Sequence, residues 1–196
     1  MSDPYQARYL AHLKRKAAMI ATESVPTEAS LMEERRSIRV FQDRPVPRAL
    51  LEGILEAVRV APQSCNRQAL TLSVVPGHEV GEWLLGGRGW IKKAPVVVLV
   101  FADLAAYKSP YEVGYMPWLD AGVALATIVY AAFACGLGSC VISFRVHPKD
   151  EVDFRRLFNE QGRLFCGAVA LGYSGIKPDM PEKKPLSELV ERWDGS

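Results

Sequence analysis

The sequence has few of the residues that bind metals or form disulfides. It contains three histidines and four cysteines in 196 residues. The histidines are scattered, with no carboxylate or cysteine cluster around any of them, and the cysteines form no Cys-x-x-Cys pair. The cysteines lie among apolar or small residues, which is typical of free thiols in a reducing compartment. We therefore expect no metal centre and no disulfide, and we expect a cytoplasmic protein.

Glycine-rich nucleotide-binding motifs are missing, and so is an excess of charge of one sign. No Gly-x-Gly-x-x-Gly follows a strand-like segment, and there is no Walker loop. Gly136-Leu137-Gly138 lacks the third glycine and follows a helical segment, which excludes a dinucleotide fingerprint. The formal net charge of +2 is too small for binding nucleic acid through bulk electrostatics. Any basic site must therefore be local, and small anions are better candidates than polyanions.

Long uncharged segments are also rare. Residues 121–144 carry no formal charge and are long enough to span a bilayer. A glycine-rich interruption at 136–139, an alanine-rich first half and the lack of flanking basic clusters argue against a membrane helix. A buried helix, a glycine turn and a buried strand explain the segment better. The apolar run at 17–21 is too short for the core of an export signal, so we expect neither secretion nor a membrane partner.

What the chain does contain is a balanced, globular composition. It is 49% hydrophobic and 23% charged, and a chain of this length buries about 70% of its unfolded surface when it folds as one domain. Residues 1–26 are predicted to form a helical extension, and residues 27–196 a single domain.

Secondary structure is predicted from periodicity, caps and prolines. The predicted helices run from the cap Thr27 to Glu34, from Pro47 to just before Pro62, over a short segment at 83–85, and over 120–135 and 148–158. The predicted strands cover 71–75, 96–102, 140–144 and 166–173, and residues 187–193 form a last strand or helical turn. Residues 105–117, rich in Tyr, Pro and Gly, are predicted to be a loop that could cover a substrate.

The first of three polar patches is the stretch EERRSIRVF, residues 33–41. Its guanidinium groups can hold phosphate oxygens bidentately, and its serine can add a hydroxyl bond. The alternative is surface charge paired with Glu33, Glu34 and Asp43. The candidate phosphate-binding residues are Arg35, Arg36, Ser37 and Arg39.

The other two patches are the loop APQSCNRQ, residues 61–68, and the segment 136–144. Amides and hydroxyls in the loop both donate and accept, which suits the edge of a heteroaromatic ring; the alternative is ordinary helix-terminating loop chemistry. Glycines in the third patch let the backbone approach a flat ligand, although a helix C-cap explains them equally. Phosphate, ring edge and ring face are the parts of a bound flavin mononucleotide.

Four motifs together resemble the FMN-dependent nitroreductase family. RRSIRVF, APQSCNRQ, DAGVALATIVYAAFACGLGSC and GAVALGYSG occur in that order and spacing, and the resemblance covers about residues 28–193. It implies an α+β fold of three α/β/α layers, with a central mixed, largely antiparallel sheet flanked by helices. It also implies FMN as cofactor, NADH or NADPH as electron donor, and a homodimer with the long buried helix at its interface.

The resemblance assigns the site residues by motif. It implies that the arginine-serine motif, Arg35, Arg36, Ser37 and Arg39, binds the flavin phosphate and ribityl chain. It implies that the loop contacts the isoalloxazine through Pro62, Gln63, Ser64, Asn66 and Gln68. The strand that passes the ring contributes Val141, Ile142 and Ser143. A basic pair near the C-terminus, for which a solvated tail is the alternative, reaches the phosphate and is matched by Lys183 and Lys184. No catalytic acid or base is implied, because the flavin carries the redox chemistry.

Departures from the family pattern lie around the ring. Ala69-Leu70 stands where the family commonly has proline and an aromatic residue, and Ala126-Thr127 where it has Gln-Asn. Both changes bear on substrate choice rather than on the phosphate. Arg67 adds a positive charge near the ring, which makes an anionic substrate conceivable.

Two hypotheses from different functional classes follow. The first is an NAD(P)H-dependent FMN oxidoreductase that passes two electrons to nitroaromatic, quinone or similar acceptors, by ping-pong hydride transfer through flavin N5. The second is a flavin-binding redox module, or a relative that consumes its flavin, without nicotinamide turnover. A structural protein without flavin is a third possibility. Small residues along the helix at 120–135 let another helix approach closely and support the homodimer.

Overall fold

The computed structural model describes residues 28–80, 86, 88–143 and 162–192. The predicted N-terminal extension, the short helix at 83–85 and the helix at 148–158 lie outside these residues. Within them, one sheet packs against helices in an α+β fold, as the resemblance implied.

The strands form one antiparallel sheet in the order β1-β2-β4-β3. They are β1 (Leu70–Val75), β2 (Val96–Asp103), β3 (Gly138–Ile142) and β4 (Arg163–Gly172). The four strands predicted between residues 71 and 173 are confirmed, with ends shifted by a few residues. β2 and β4 are buried along almost their whole length, because both faces of the central strands are covered. All strand pairs in the described residues are antiparallel, and Ser37, outside the strands, forms an isolated parallel bridge to Ser139.

The helices lie before, between and after the strands. They are α1 (Glu28–Glu34), α2 (Arg48–Val60), α3 (Pro110–Ala134) and α4 (Leu186–Leu189). The predictions of α1 and α2 are confirmed, and the last segment takes the helical alternative. α2 forms because its apolar side chains recur every three to four residues and fall on one face. The buried residues of that face are Leu50, Ile54, Ala57 and Val58.

α3 begins at Pro110, well before the predicted start at Asp120. The loop predicted over 105–117 is therefore wrong from Pro110 onwards. A proline is tolerated in the first turn because its missing N–H would have no acceptor within the helix. Ser109 caps the helix, since its hydroxyl accepts from the backbone N–H of Glu112 at 3.2 Å. Pro117 lies further inside the helix, where it removes one backbone hydrogen bond.

The core has two parts, one on each face of the sheet. On one face, α2 and α3 pack against alternate residues of β2, including Val98 and Val100. On the other face, Val97, Leu99 and Phe101 pack with Phe165 of β4 and with the segment that precedes β2. This arrangement buries the sheet on both sides and fixes the edge strand β3 beside β4.

α3 is long and apolar enough to cross a membrane, by length and composition. In the fold it packs against α2 and against β2, β3 and β4. Its buried face also carries Asp120, which is 2% exposed. The prediction of a buried helix, a glycine turn and a buried strand is confirmed, since α3 is followed by Gly136 with φ +74° and then by β3.

Candidate functional site

The arginine-rich stretch docks on the edge of the sheet. The backbone N–H of Ile38 donates to the carbonyl of Ser139 in β3 at 2.8 Å. Further along, the N–H of Gln42 donates to the carbonyl of Tyr173 at 2.9 Å, just beyond β4. The stretch therefore lies over β3 and the end of β4, and its own residue Ile38 is buried. This places the predicted phosphate-binding residues at the beginning of β3.

Within this stretch the arginines differ in their surroundings. Arg36 is half-buried, and its Nη1 donates to the carbonyls of Glu33 and Arg35 at 2.5 and 2.9 Å. Its Nε is buried without a hydrogen-bond partner among the described residues. The guanidinium of Arg35 lies 5.9 Å from the ring centroid of Tyr130 in α3. Ser37 and Arg39 are exposed.

The positive charges in and around the arginine stretch act on the thiol of Cys140 in β3. Burial raises the pKa of the Cys140 thiol, while Arg39, Ser37, Arg88 and Arg35 oppose that rise. Arg88 was missed by the sequence analysis, and its Nη2 donates to the carbonyl of Ser143 at 2.7 Å. The only sequence signal for it is an arginine within a glycine-rich loop. Three arginines from two separate segments thus act on one point of β3.

Close packing holds the arginine stretch on β3, and we expect Gly138→Ala to weaken it. A Cβ at position 138 would lie 2.8 Å from Cγ1 of Ile38, so one of the two must move. Overpacking of this kind costs about 1–3 kcal/mol, measurable by denaturant unfolding of the apoprotein. Gly114→Ala is the matched control, because no heavy atom lies within 4 Å of its added Cβ. Equal stability of the two variants would contradict tight docking.

The loop at 62–68 forms a 3₁₀ turn with strained backbone. Cys65, Asn66 and Gln68 have φ of 51°, 50° and 53°, in the left-handed region that non-glycine residues rarely adopt. Such conformations cost roughly 1–3 kcal/mol each and persist only where surrounding contacts impose them. The side chains of Pro62, Asn66 and Gln68 are exposed, and that of Gln63 is half-buried. The loop therefore presents polar groups to solvent from a constrained main chain.

Ser64 ties this loop to α3. Its backbone N–H and its hydroxyl both donate to Oδ1 of Asp120, at 2.8 and 2.7 Å. Oδ2 of the same carboxylate accepts from the phenol of Tyr107 at 3.0 Å. The Ser64 hydroxyl also lies 3.1 Å from Sδ of Met116, and the shorter, charge-assisted bond to Asp120 is the stronger of the two.

Arg67 points into the protein and forms an ion pair. Its Nη2 lies 2.8 Å from Oε1 of Glu112, with side chains 10% and 23% exposed. Its positive charge is therefore balanced within the chain, which removes the reason given above for an anionic substrate. The Nε of Arg67 and the Oε1 of Gln63 are buried and have no hydrogen-bond partner in the part of the chain that the structure describes.

The predicted ring-facing strand is β3 and the residue after it. Val141 is 46% exposed, whereas the Ile142 side chain is completely buried in the core. Ser143 is exposed, and its carbonyl accepts from Arg88. Val141 and Ser143 thus have exposed side chains, whereas Ile142 has its side chain in the core and pairs with Ala168 of β4.

The chain meets the chemical requirements of FMN at two places. The arginine stretch supplies fixed positive charge and the unpartnered Nε of Arg36, which suit a phosphate. The loop supplies an unpartnered amide oxygen at Gln63 and exposed amides at Asn66 and Gln68, which suit a polar ring edge. The two places contact α3 near Tyr130 and Asp120, about 15 Å apart along the helix axis.

The sequence matches the profile of the Nitroreductase family over residues 32–82 and 76–173. The chain belongs to the nitroreductase family. Both the arginine stretch and the 62–68 loop lie within the matched residues, as do β3 and β4.

Two named relatives support this membership of the nitroreductase family. The chain is 34% identical over 145 residues to a Bacillus subtilis protein named FMN reductase [NAD(P)H], covering 64% of this chain and 58% of that protein. The chain therefore spans less than two thirds of that relative. It is 32% identical over 170 residues to a Methanothermobacter thermautotrophicus protein provisionally named NADH dehydrogenase/NAD(P)H nitroreductase, covering 83% and 85%.

A solved structure shares the nitroreductase fold. It is a Desulfovibrio desulfuricans protein, described as a nitroreductase and solved in complex with FMN. The TM-score is 0.73 at 22% identity, covering 88% of this chain and 100% of that one.

The basic pair near the C-terminus of this nitroreductase chain lies on an exposed segment. Lys183 and Lys184 are exposed in the segment before α4. Nζ of Lys184 lies 3.9 Å from a carboxylate oxygen of Glu188, with both side chains largely exposed. An exposed pair of this kind contributes little stability, so it leaves the lysine available for another partner.

Proposed function

We propose that this chain is an FMN-dependent NAD(P)H oxidoreductase that reduces nitroaromatic, quinone or similar acceptors. The observation that carries the proposal is the arginine stretch docked on β3, with Arg36 Nε buried and unpartnered in a nitroreductase-family chain. The names of the Bacillus subtilis and Methanothermobacter thermautotrophicus relatives support the same chemistry.

The residues of the chain bind and orient the cofactor. Arg35, Arg36, Ser37 and Arg39 hold the phosphate, with charge-assisted hydrogen bonds as the main source of affinity. The 62–68 loop contacts the polar edge of the ring, and β3 lies along it. Bound FMN supplies the hydride chemistry. The protein fixes the ring and keeps one face open to donor and acceptor in turn, which is the arrangement that a ping-pong reaction needs.

We further propose that two chains associate through α3. The helix leaves apolar side chains exposed in the single chain, among them Tyr111, Trp118 and Leu119, at 77%, 43% and 57% exposure. Gly122 and Ala126 continue this face with small side chains. Apolar surface of this kind is typical of an interface.

The segment that follows β4, residues 173–192 (the tail), supports the same association. Ile176, Met180, Leu186 and Leu189 are between 49% and 76% exposed, so the tail carries apolar side chains that the single chain leaves uncovered. A tail that packs on a second copy would bring Lys183 and Lys184 towards the phosphate held there. The phosphate, ring-edge and tail residues would then meet in sites built from both chains.

The purified protein is expected to be yellow and to release FMN when denatured. Chromatography of the supernatant identifies the flavin, and FAD or no flavin would contradict the proposal. Mixing the holoprotein with NADH or NADPH should bleach the flavin, and an added quinone should restore its colour with steady oxidation of the nicotinamide. Flavin that neither nicotinamide reduces would favour a flavin-binding module without turnover.

A further inference from the structure

Asp120 is a buried carboxylate in an apolar helix. It is 2% exposed and, with Ser139, is one of two polar residues that the described part of the chain buries. A buried charge is costly unless hydrogen bonds compensate it. The flavin contacts proposed above do not use Asp120, so its burial needs another explanation.

The hydrogen bonds of Asp120 supply that explanation. One oxygen accepts from the N–H and the hydroxyl of Ser64, and the other accepts from Tyr107. Burial and the bond to Asp120 raise the pKa of Tyr107, so the phenol stays protonated and donates. The carboxylate therefore gathers three donors, two of them from the residue that begins the 3₁₀ turn of the loop.

The loop depends on attachments of this kind. Within it, Asn66 N–H donates to the Gln63 carbonyl and Arg67 N–H donates to the Ser64 carbonyl, but these bonds only close the turn. Asp120 with Ser64 and Glu112 with Arg67 fasten the loop to α3, and the Ser64 hydroxyl also lies 3.1 Å from Sδ of Met116 in the same helix. Of these two acids, only Asp120 bonds to the main chain of the loop. It does so at Ser64, directly before the residues with positive φ.

We propose that Asp120 is a positioning residue that holds the 62–68 loop in the strained shape needed to receive the flavin ring. This role rests on the proposed function. Asp120 acts through Ser64 and does not touch the cofactor itself. Its negative charge is carried by α3, and Tyr130 further along the same helix lies 5.9 Å from the guanidinium of Arg35.

Asp120→Asn tests the proposal, because the amide keeps the size of the side chain and loses the charge and one acceptor. In the apoprotein, hydrogen exchange of the amides at 64–68 should become about tenfold faster or more, which corresponds to ~1.4 kcal/mol of lost local stability. In the holoprotein, the dissociation constant for FMN should rise about tenfold or more. The flavin midpoint potential should also rise, since a buried negative charge beside the loop has been removed.

Tyr107→Phe is the matched control. It removes the bond to the other oxygen of the same carboxylate and leaves the charge and both Ser64 bonds in place. Loop exchange, FMN affinity and potential should stay near wild-type values. If both variants change these quantities equally, or if Asp120→Asn changes none of them, Asp120 serves packing alone and the proposal is overturned.

Ser64→Ala covers the case in which Asp120→Asn fails to fold. It removes the hydroxyl bond and keeps the backbone bond, so an intermediate increase in loop exchange of the apoprotein is expected, and an unchanged exchange rate would overturn the proposal. Wild-type protein that binds no flavin would contradict the proposed function. Exchange in the apoprotein would still decide whether Asp120 shapes the loop.

Discussion

Arg36→Glu combined with Arg39→Glu is expected to give a folded protein that purifies without flavin. Each hydrogen bond from a charged donor is worth about 1.5–3 kcal/mol, so losing both lowers FMN affinity by ~100-fold or more. The new carboxylates would also repel the phosphate. Absorbance of the purified protein and FMN titration measure the loss, and circular dichroism checks the fold.

A charge-matched control separates site chemistry from overall electrostatics. Arg48→Glu combined with Lys93→Glu makes the same change in net charge at exposed positions outside the three polar patches. This control should retain its flavin. If the Arg36 and Arg39 variant also retains full occupancy, the arginines are ordinary surface charge and the phosphate assignment fails.

Gly122→Arg is expected to produce a monomer that has lost its flavin. Gly122 is exposed on α3, and a Cβ placed there meets no heavy atom within 4 Å in the single chain. The substitution is therefore tolerated by one protomer and is disruptive only if a second copy packs against this face. With sites built from both chains, FMN affinity should fall about 100-fold, or ~2.8 kcal/mol.

Sedimentation velocity with detection at both the protein and the flavin wavelengths follows subunits and cofactor together. Ala49→Arg, at an exposed position of α2, is the control and should remain a yellow dimer. Dilution of the wild-type protein should release flavin and subunits in parallel. A wild-type monomer that keeps its FMN at low concentration would contradict the shared site.

The sheet and most helices could be predicted because their signals are local. β2 reads as a continuous apolar, β-branched run, and α2 has regular apolar spacing between two prolines. The start of α3 could not be read in this way, because Pro110 and Pro117 both suggest a break. Their tolerance depends on the Ser109 cap and on tertiary packing, which act from outside the local pattern.

The candidate site also contains residues that local sequence signals predicted and residues that only the tertiary structure revealed. The arginine stretch was visible because three like charges stand in one short segment, and their placement beside β3 agrees with the phosphate hypothesis without testing it. The network of Ser64, Tyr107 and Asp120 was not predicted, because its members are far apart in sequence and none is unusual alone. The ion pair of Arg67 was not predicted for the same reason, since its partner Glu112 lies 45 positions away.

The arginine stretch and the 62–68 loop are anchored to different elements of the fold, and this affects how such a chain can diversify. The arginine stretch is fastened to the sheet through Ile38, whereas the 62–68 loop is fastened to α3 through Ser64. Mutations on the first half of α3 can therefore reshape the loop proposed to contact the ring while the residues proposed to bind the phosphate stay attached to β3. A lineage that keeps its cofactor can explore new acceptors one substitution at a time, and retained flavin then stabilises each intermediate variant against unfolding.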